Sequence, residues 1–396
     1  MKMQATHAAV FLCAVHVSAC ASTEESVSST ADPSRDAATG GDSGAVRGEK
    51  TDAATAADAG AKRDAAVDAG SAFDGGVDGG VDGGSSLDAG IGTDANAASP
   101  FFTYTFNRRV YRVAARVGAT PESVSAKLDR FGTGAMDRWL IPSPNGAAMV
   151  LSTDRVNCPL IIECLAITSR DLSFLEPVLP GGAEANIVGT PAVDDSGTVV
   201  VYPSKGGPNG VDLWETHRQG NGWSPARLLT GASPHPFNGS PAMALDNARV
   251  LFDCGQGPYP EDGNTDACEV RLDGSGLRVV ATQFTMPNNR NDFVQFPHDS
   301  VDGILMQGAW PIAGSQPETI WLMPSSGGPL QPVGHLLNNA VSPCGLRDGR
   351  FGALWLTRPD APVSNHEIVL MTRDGAIEAV LTPGIDVNDI GIGCGG

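Results

Sequence analysis

The chain runs to 396 residues and carries 45 acidic against 26 basic side chains, a net charge of −19 at neutral pH. A balance this acidic leaves no basic stripe to neutralise phosphates, which argues against nucleic acid or an anionic lipid surface as partner. The acid excess is shared by two unlike stretches: residues 21–100 hold 15 acidic and 5 basic side chains, residues 101–396 hold 30 and 20.

Residues 1–19 read as an export signal. Lys2 supplies the positive charge, and residues 8–17 form an apolar stretch too short to span a bilayer. The segment ends in Val17-Ser18-Ala19-Cys20, which resembles a bacterial lipobox. That resemblance implies acylation of Cys20 and attachment to a membrane through lipid alone. The next residue is Ala21 and not Asp, which by the same resemblance implies the outer membrane, facing the periplasm or the cell surface.

Residues 20–99 are a different material, with Phe73 as their one aromatic residue and Asp-Gly-Gly repeats at Asp74, Asp78 and Asp82. Such a segment buries too little apolar surface to offset its ordering entropy and is expected to be a disordered linker. Asp-Gly-Gly also occurs in calcium β-rolls, but their nine-residue period with an apolar strand residue is missing. A flexible chain of this length reaches on the order of 50 Å.

From residue 100 to 396 one pattern recurs: an apolar run, a polar turn containing Gly, then a second apolar run. The pairs are 110–115 with 123–128, 164–168 with 174–179, and 212–216 with 226–229. They continue as 268–272 with 277–281, 319–323 with 330–336, and 367–371 with 377–381. Ahead of each pair stand an inner strand, opened by Pro191, Pro241, Pro297 or Pro343, and a second strand after a turn such as Asn145-Gly146, Asp302-Gly303 or Asp348-Gly349. A strand repeat of about fifty residues predicts a β-propeller. The final segment, Asn388 to Cys394, superposes on Asn338 to Cys344 and then the chain stops. Residues 101–106 begin at the matching second strand, so the two chain ends complete one blade and close the ring. The expected fold is all-β, a six-bladed propeller of four-stranded antiparallel blades. A β-sandwich would leave the fifty-residue repeat unexplained.

Thr190-Pro-Ala-Val-Asp-Asp-Ser-Gly-Thr-Val-Val-Val-Tyr202, followed by Asp212-Leu-Trp-Glu215, resembles the repeat of TolB-like six-bladed propellers, as does Ser240-Pro-Ala-Met-Ala-Leu-Asp-Asn-Ala-Arg-Val-Leu-Phe252. Ser143-Pro-Asn-Gly146 keeps most of that family's Ser-Pro-Asp-Gly core. The resemblance covers 139–253 most strongly and implies a periplasmic protein-binding platform.

Six cysteines fall in the repeat region, and an even number in an exported chain reads as disulfides. Cys158 with Cys164 and Cys254 with Cys268 each bracket a loop, which leaves Cys344 and Cys394 on adjacent inner strands. Their bridge would lock the ring, provided the strands approach within the ~7 Å Cα limit. The register also sets His298 level with Cys344 and Cys394, which makes a Cys₂His metal site conceivable.

No nucleophile elbow, zinc-protease motif or phosphate loop occurs in the sequence. Five residues before the Pro position lie Asn186, Asp292, Asn338 and Asn388, around one mouth of the expected channel. Such residues serve as Asx-turns, or as a ring of oxygens for Ca²⁺ or a peptide backbone. Beside them fall His235, Arg290, Tyr259 and Trp310, residue types that protein-binding surfaces favour. The sequence therefore reads as a lipid-anchored, monomeric, non-catalytic binder of an envelope protein or peptide, with no required cofactor. A metal-dependent propeller hydrolase or lactonase with a cation at the channel mouth is the alternative, and a polysaccharide-binding propeller the third reading.

Overall fold

The computed structural model describes residues 99–133, 136–156, 164–183, 185–255, 265–282, 294–309, 318–333, 340–355, 366–387 and 392–396. These residues are nearly all β and build a propeller ring. The first unit holds β1 (Phe101–Phe106), β2 (Arg109–Ala114) and β3 (Glu122–Ser123), followed by α1 (Val124–Leu128) and a 3₁₀ turn at Asp129–Phe131. The second holds β4 (Asp137–Pro142), β5 (Ala148–Thr153), β6 (Cys164–Ser169) and β7 (Glu176–Pro177). The third holds β8 (Ala192–Val193), β9 (Val199–Lys205), β10 (Val211–Gln219), β11 (Gly222–Trp223) and β12 (Arg227–Leu228).

The fourth unit holds β13 (Phe237–Met243), β14 (Arg249–Gly255), β15 (Thr265–Arg271) and β16 (Arg278–Ala281). The fifth holds β17 (Val294–Ser300), β18 (Gly303–Ala309), β19 (Glu318–Pro324) and β20 (Gln331–Val333). The sixth holds β21 (Ala340–Gly345), β22 (Phe351–Trp355), β23 (Glu367–Met371) and β24 (Ile377–Val380), and β25 (Gly393–Gly395) ends the chain. Neighbouring strands within a unit pair antiparallel. The third and fourth units count as one nine-stranded sheet only through a single parallel pair, Val211 with Phe237.

The chain ends meet as the repeat requires. β25 pairs antiparallel with β1, Cys394 opposite Phe102, and completes the first unit from the opposite end of the sequence. Six apolar cores then lie between the units, each drawing on two neighbours. Phe101 and Val110 pack with Met149 and Leu151; Val150 and Leu165 with Val193 and Val200; Val201 and Leu213 with Val250 and Phe252. Leu251 and Ala267 pack with Met306 and Trp321, Leu305 and Ile320 with Ala353 and Val369, and Leu354 and Ile368 with Phe102 and Val113. The last core joins the sixth unit to the first. Because each blade is covered on both faces, strands such as β5 and β23 are buried throughout and show no alternation.

Two local expectations are corrected. Residues 123–128 form the end of the two-residue strand β3 and a short helix, not an outer strand: Ser123 accepts the Ala126 N–H (3.2 Å), and the Ser125 hydroxyl accepts the Val110 N–H (2.9 Å). Ser125 also donates to the buried Asp137 carboxylate, which is ion-paired with Arg155. The inner-strand prolines Pro241, Pro297 and Pro343 do not open their strands but sit inside them, at register shifts. Those shifts fall between Gly239 and Ala242, Gln295 and His298, and Val341 and Cys344, with a fourth between Arg138 and Ile141. A bulge absorbs the proline, which has no N–H for the ladder. Only Pro191 precedes its strand, β8.

Candidate functional site

The bulges face the axis and line a cavity of about 60 Å³, enough for a water or two. Its walls include Ile141, Pro241, Met243, Pro297, Pro343 and Ile392, with His298, Ser342 and Cys394 supplying polar or sulfur atoms. At four bulges the residue before the kink has a left-handed backbone: Trp139 (φ 48°), Ser240 (48°), Phe296 (52°) and Ser342 (49°). That conformation is strained for a non-glycine residue and persists only where its surroundings impose it.

The preceding blade imposes it. The Trp139 N–H donates to Thr105 Oγ1 (3.3 Å), the Phe296 N–H to Asp253 Oδ1 (2.6 Å) and the Ser342 N–H to Gln307 Oε1 (3.1 Å). Thr105, Asp253 and Gln307 all lie on second strands, and all are buried. Asp253 also holds the Ser240 hydroxyl and therefore grips the bulges of two units. Burial pushes its carboxyl up to about 7, against the opposing pull of those two hydrogen bonds.

One end of the channel is latched. There the Arg347 guanidinium donates to Asp195 Oδ2 (2.6 Å) and to the Leu245 carbonyl (3.1 Å), joining the sixth unit to the third and fourth. Asp195 accepts the Asn145 N–H (2.6 Å) and Asn247 Nδ2 (2.7 Å), and its own N–H donates to Asn247 Oδ1 (2.8 Å). The Arg347 N–H donates to the Gly396 carbonyl, and the Gly396 N–H to the Pro144 carbonyl, so the chain terminus is part of the latch. Four inter-strand turns and the last residue thus converge at this end.

The opposite end carries the loops that lead into the inner strands. Residues 230–238 are organised around Asp212, which is fully buried. Its carboxylate accepts from Thr230 Oγ1 (2.9 Å), Asn238 Nδ2 (3.2 Å) and Asn209 Nδ2 (3.1 Å). Asn238 also donates to the His235 carbonyl, and the Ser233 hydroxyl accepts the His235 N–H. The loop therefore presents exposed Ala232, Pro234 and Pro236, with His235 and Phe237 half-buried beneath them, on a fixed frame.

Of the ligand-face residues singled out in the sequence, Asn186 is exposed just ahead of β8, its carbonyl accepting from Ser204, and His235 sits in the Asp212-organised loop. Asp292, Arg290, Asn338, Asn388, Tyr259 and Trp310 lie outside the described residues, as do Cys20 and Cys158. Cys254 and Cys268 form a disulfide with Cα atoms 5.9 Å apart, and Cys164 is also disulfide-bonded. Cys344 and Cys394 are joined with Cα atoms 5.9 Å apart, inside the distance limit for neighbouring inner strands. The bulge between Val341 and Cys344 falls immediately before Cys344 in the strand. His298 Nε2 stands 3.3 Å from Cys344 Sγ and 3.8 Å from Cys394 Sγ. Among the described residues the other three-residue cluster of metal-ligating type is His235 with Cys254 and Cys268.

Sequence reasoning passed over Asp253, Arg347, Asp195 and Asp212. Asp253 carried a signal, a lone carboxylate ending the apolar run Val250-Leu-Phe. Arg347 and Asp195 carried none, because they are 152 residues apart and meet only across the ring.

No known sequence family matches the chain, and no curated protein resembles it in sequence. Solved structures resemble it in fold. A chain from a nidogen/laminin complex is 10% identical, with 74% of this chain and 98% of that one covered and a TM-score of 0.47. TolB from Acinetobacter baumannii is 10% identical, covering 71% of this chain and 63% of its own, at 0.48. The oligogalacturonate lyase of Vibrio parahaemolyticus is 9% identical, covering 69% and 76%, at 0.41.

Proposed function

We propose that this chain is a lipid-anchored envelope protein whose six-bladed propeller binds a protein or peptide on its loop-bearing end, without chemistry of its own. The observation that supports this most is the loop 230–238, whose exposed tip is held by hydrogen bonds to a buried Asp212. Loops fixed in advance on a rigid scaffold lose little entropy on association, which is how propeller-like frames carry binding sites. A cavity of about 60 Å³ is too small for a peptide or sugar ring, which favours a face over the channel as the working surface. The acidic balance favours a neutral or basic partner surface over nucleic acid. In this reading the protein acts as a monomer at the outer membrane, tethered through Cys20 by the 20–99 linker.

The test is crosslinking in cells with the full-length chain, comparing an Asn186→Asp/His235→Asp variant with an Arg350→Glu change at the opposite, turn end. A partner captured by wild type and by the Arg350 variant, and lost with the paired substitutions, is the expected outcome. Equal capture by all three, or none by any, would sink the proposal.

A further inference from the structure

The disulfide that closes the ring is flanked by His298, whose Nε2 faces both sulfurs. We infer that Cys344, Cys394 and His298 form a zinc site whenever their disulfide is reduced, so that the same seam closes either covalently or through a metal ion.

The ligand atoms already cluster. The sulfur and nitrogen atoms of the three residues lie within 4.8 Å of one another. A tetrahedral zinc ion with ordinary Zn–S and Zn–N bonds sets sulfur and nitrogen roughly 3.5 Å apart. The observed separations of His298 Nε2 from the two sulfurs, 3.3 and 3.8 Å, straddle that value. Only the two sulfurs must part, to roughly 3.8 Å around such an ion.

The histidine is also prepared. Its Nδ1 lies 3.0 Å from the Asp299 carbonyl oxygen and 3.2 Å from the Gly345 N–H. The carbonyl can only accept and the amide can only donate, so the two contacts demand opposite tautomers. A metal on Nε2 puts the proton on Nδ1, and the Asp299 carbonyl is the shorter contact there. Metal-bound histidines commonly make this second hydrogen bond to a carbonyl.

A fourth position is available too. His298 and Cys394 line the central cavity, and so does Ser342, whose buried Oγ has no hydrogen-bond partner among the described residues. A water completing the coordination would fit that space and give the hydroxyl its partner.

The exchange balances with a dithiol as reductant. One dithiol sulfur attacks the Cys344–Cys394 bond, its second sulfur closes the dithiol into a disulfide, and two electrons and two protons pass to the cysteines. Zinc then binds both as thiolates and two protons are released.

The test uses the full-length chain, reduced with a water-soluble phosphine and kept anaerobic. Alkylation of each cysteine is followed by mass spectrometry with and without one equivalent of zinc, in wild type and in His298→Ala. That variant keeps both cysteines, and its folding is checked in the oxidised state by an intact disulfide and circular dichroism. Zinc should slow alkylation of Cys344 and Cys394 at least tenfold in wild type, and His298→Ala should need at least ten times more zinc for the same protection. Unchanged alkylation of these two cysteines, whether or not the reduced chain stays folded, overturns the inference. Equal protection in the variant overturns it as well.

Discussion

The seam between the sixth and first units and the junction between the fourth and fifth solve one problem in two ways. In both places an inner strand kinked by a bulge must be held against its neighbour around a narrow axis. At the fourth–fifth junction the grip is a hydrogen bond from the Phe296 N–H to a buried carboxylate. At the sixth–first seam it is a covalent bond from Cys344 to Cys394. The difference follows from the chain. β17 is seven residues long and continuous with its own blade, whereas β25 is three residues long and pairs with β1 at three positions. A strand that short has little ladder of its own, so cross-linking adds more there than elsewhere.

The comparison breaks most visibly at the covalent seam. Cys394→Ser should lower stability by about 4 kcal/mol, the chain-entropy value for a closed loop of this size, read as a drop in unfolding midpoint under non-reducing conditions. Hydrogen exchange should rise in β25 and β1 first; loss spread evenly over all units would mean that the seam is not the weak point.

The hydrogen-bonded junction makes a smaller and pH-dependent contribution. Asp253 titrates near 7 in the folded chain and near 3.9 when unfolded, so folding favours the protonated carboxyl. Its contribution is complete below the unfolded value and is lost as pH rises through about 7, a change on the order of a few kcal/mol. Asp253→Asn keeps a carbonyl oxygen for the Phe296 N–H and removes the titration. Melting temperature followed from pH 4 to 8 should therefore fall more steeply with rising pH in wild type than in the variant, and parallel curves would refute the assignment.

The latch at the turn end sharpens the contrast from below. Arg347 is 41% exposed and its pairing with Asp195 is partly screened, so Arg347→Ala should reduce stability by only about 0.5–1 kcal/mol in denaturant titration. A loss above that of Cys394→Ser would show that the latch, not the seam, carries the closure.

Much of this molecule was legible in advance because strand repeats leave a periodic trace. Residues 101–106 and 351–355 were read as strands and form β1 and β22 with the same bounds. The junction of the two chain ends followed from matching Asn388–Cys394 to Asn338–Cys344. What misled was chemistry with two local solutions. Ser123 caps a helix as readily as it ends a strand, and a proline can open a strand or sit in a bulge within it. Which of these occurs depends on partners such as Asp137 and Asp253, which are distant in sequence.

The sequence by itself determined the repeat, its strand order and the acidic balance, because these are set by local composition and spacing. Only the tertiary structure decided that Arg347 reaches Asp195, that Asp253 spans two bulges, and that His298 faces the Cys344–Cys394 bridge. Those contacts depend on how six similar units turn around one axis, and a one-dimensional repeat does not encode which side chains meet there.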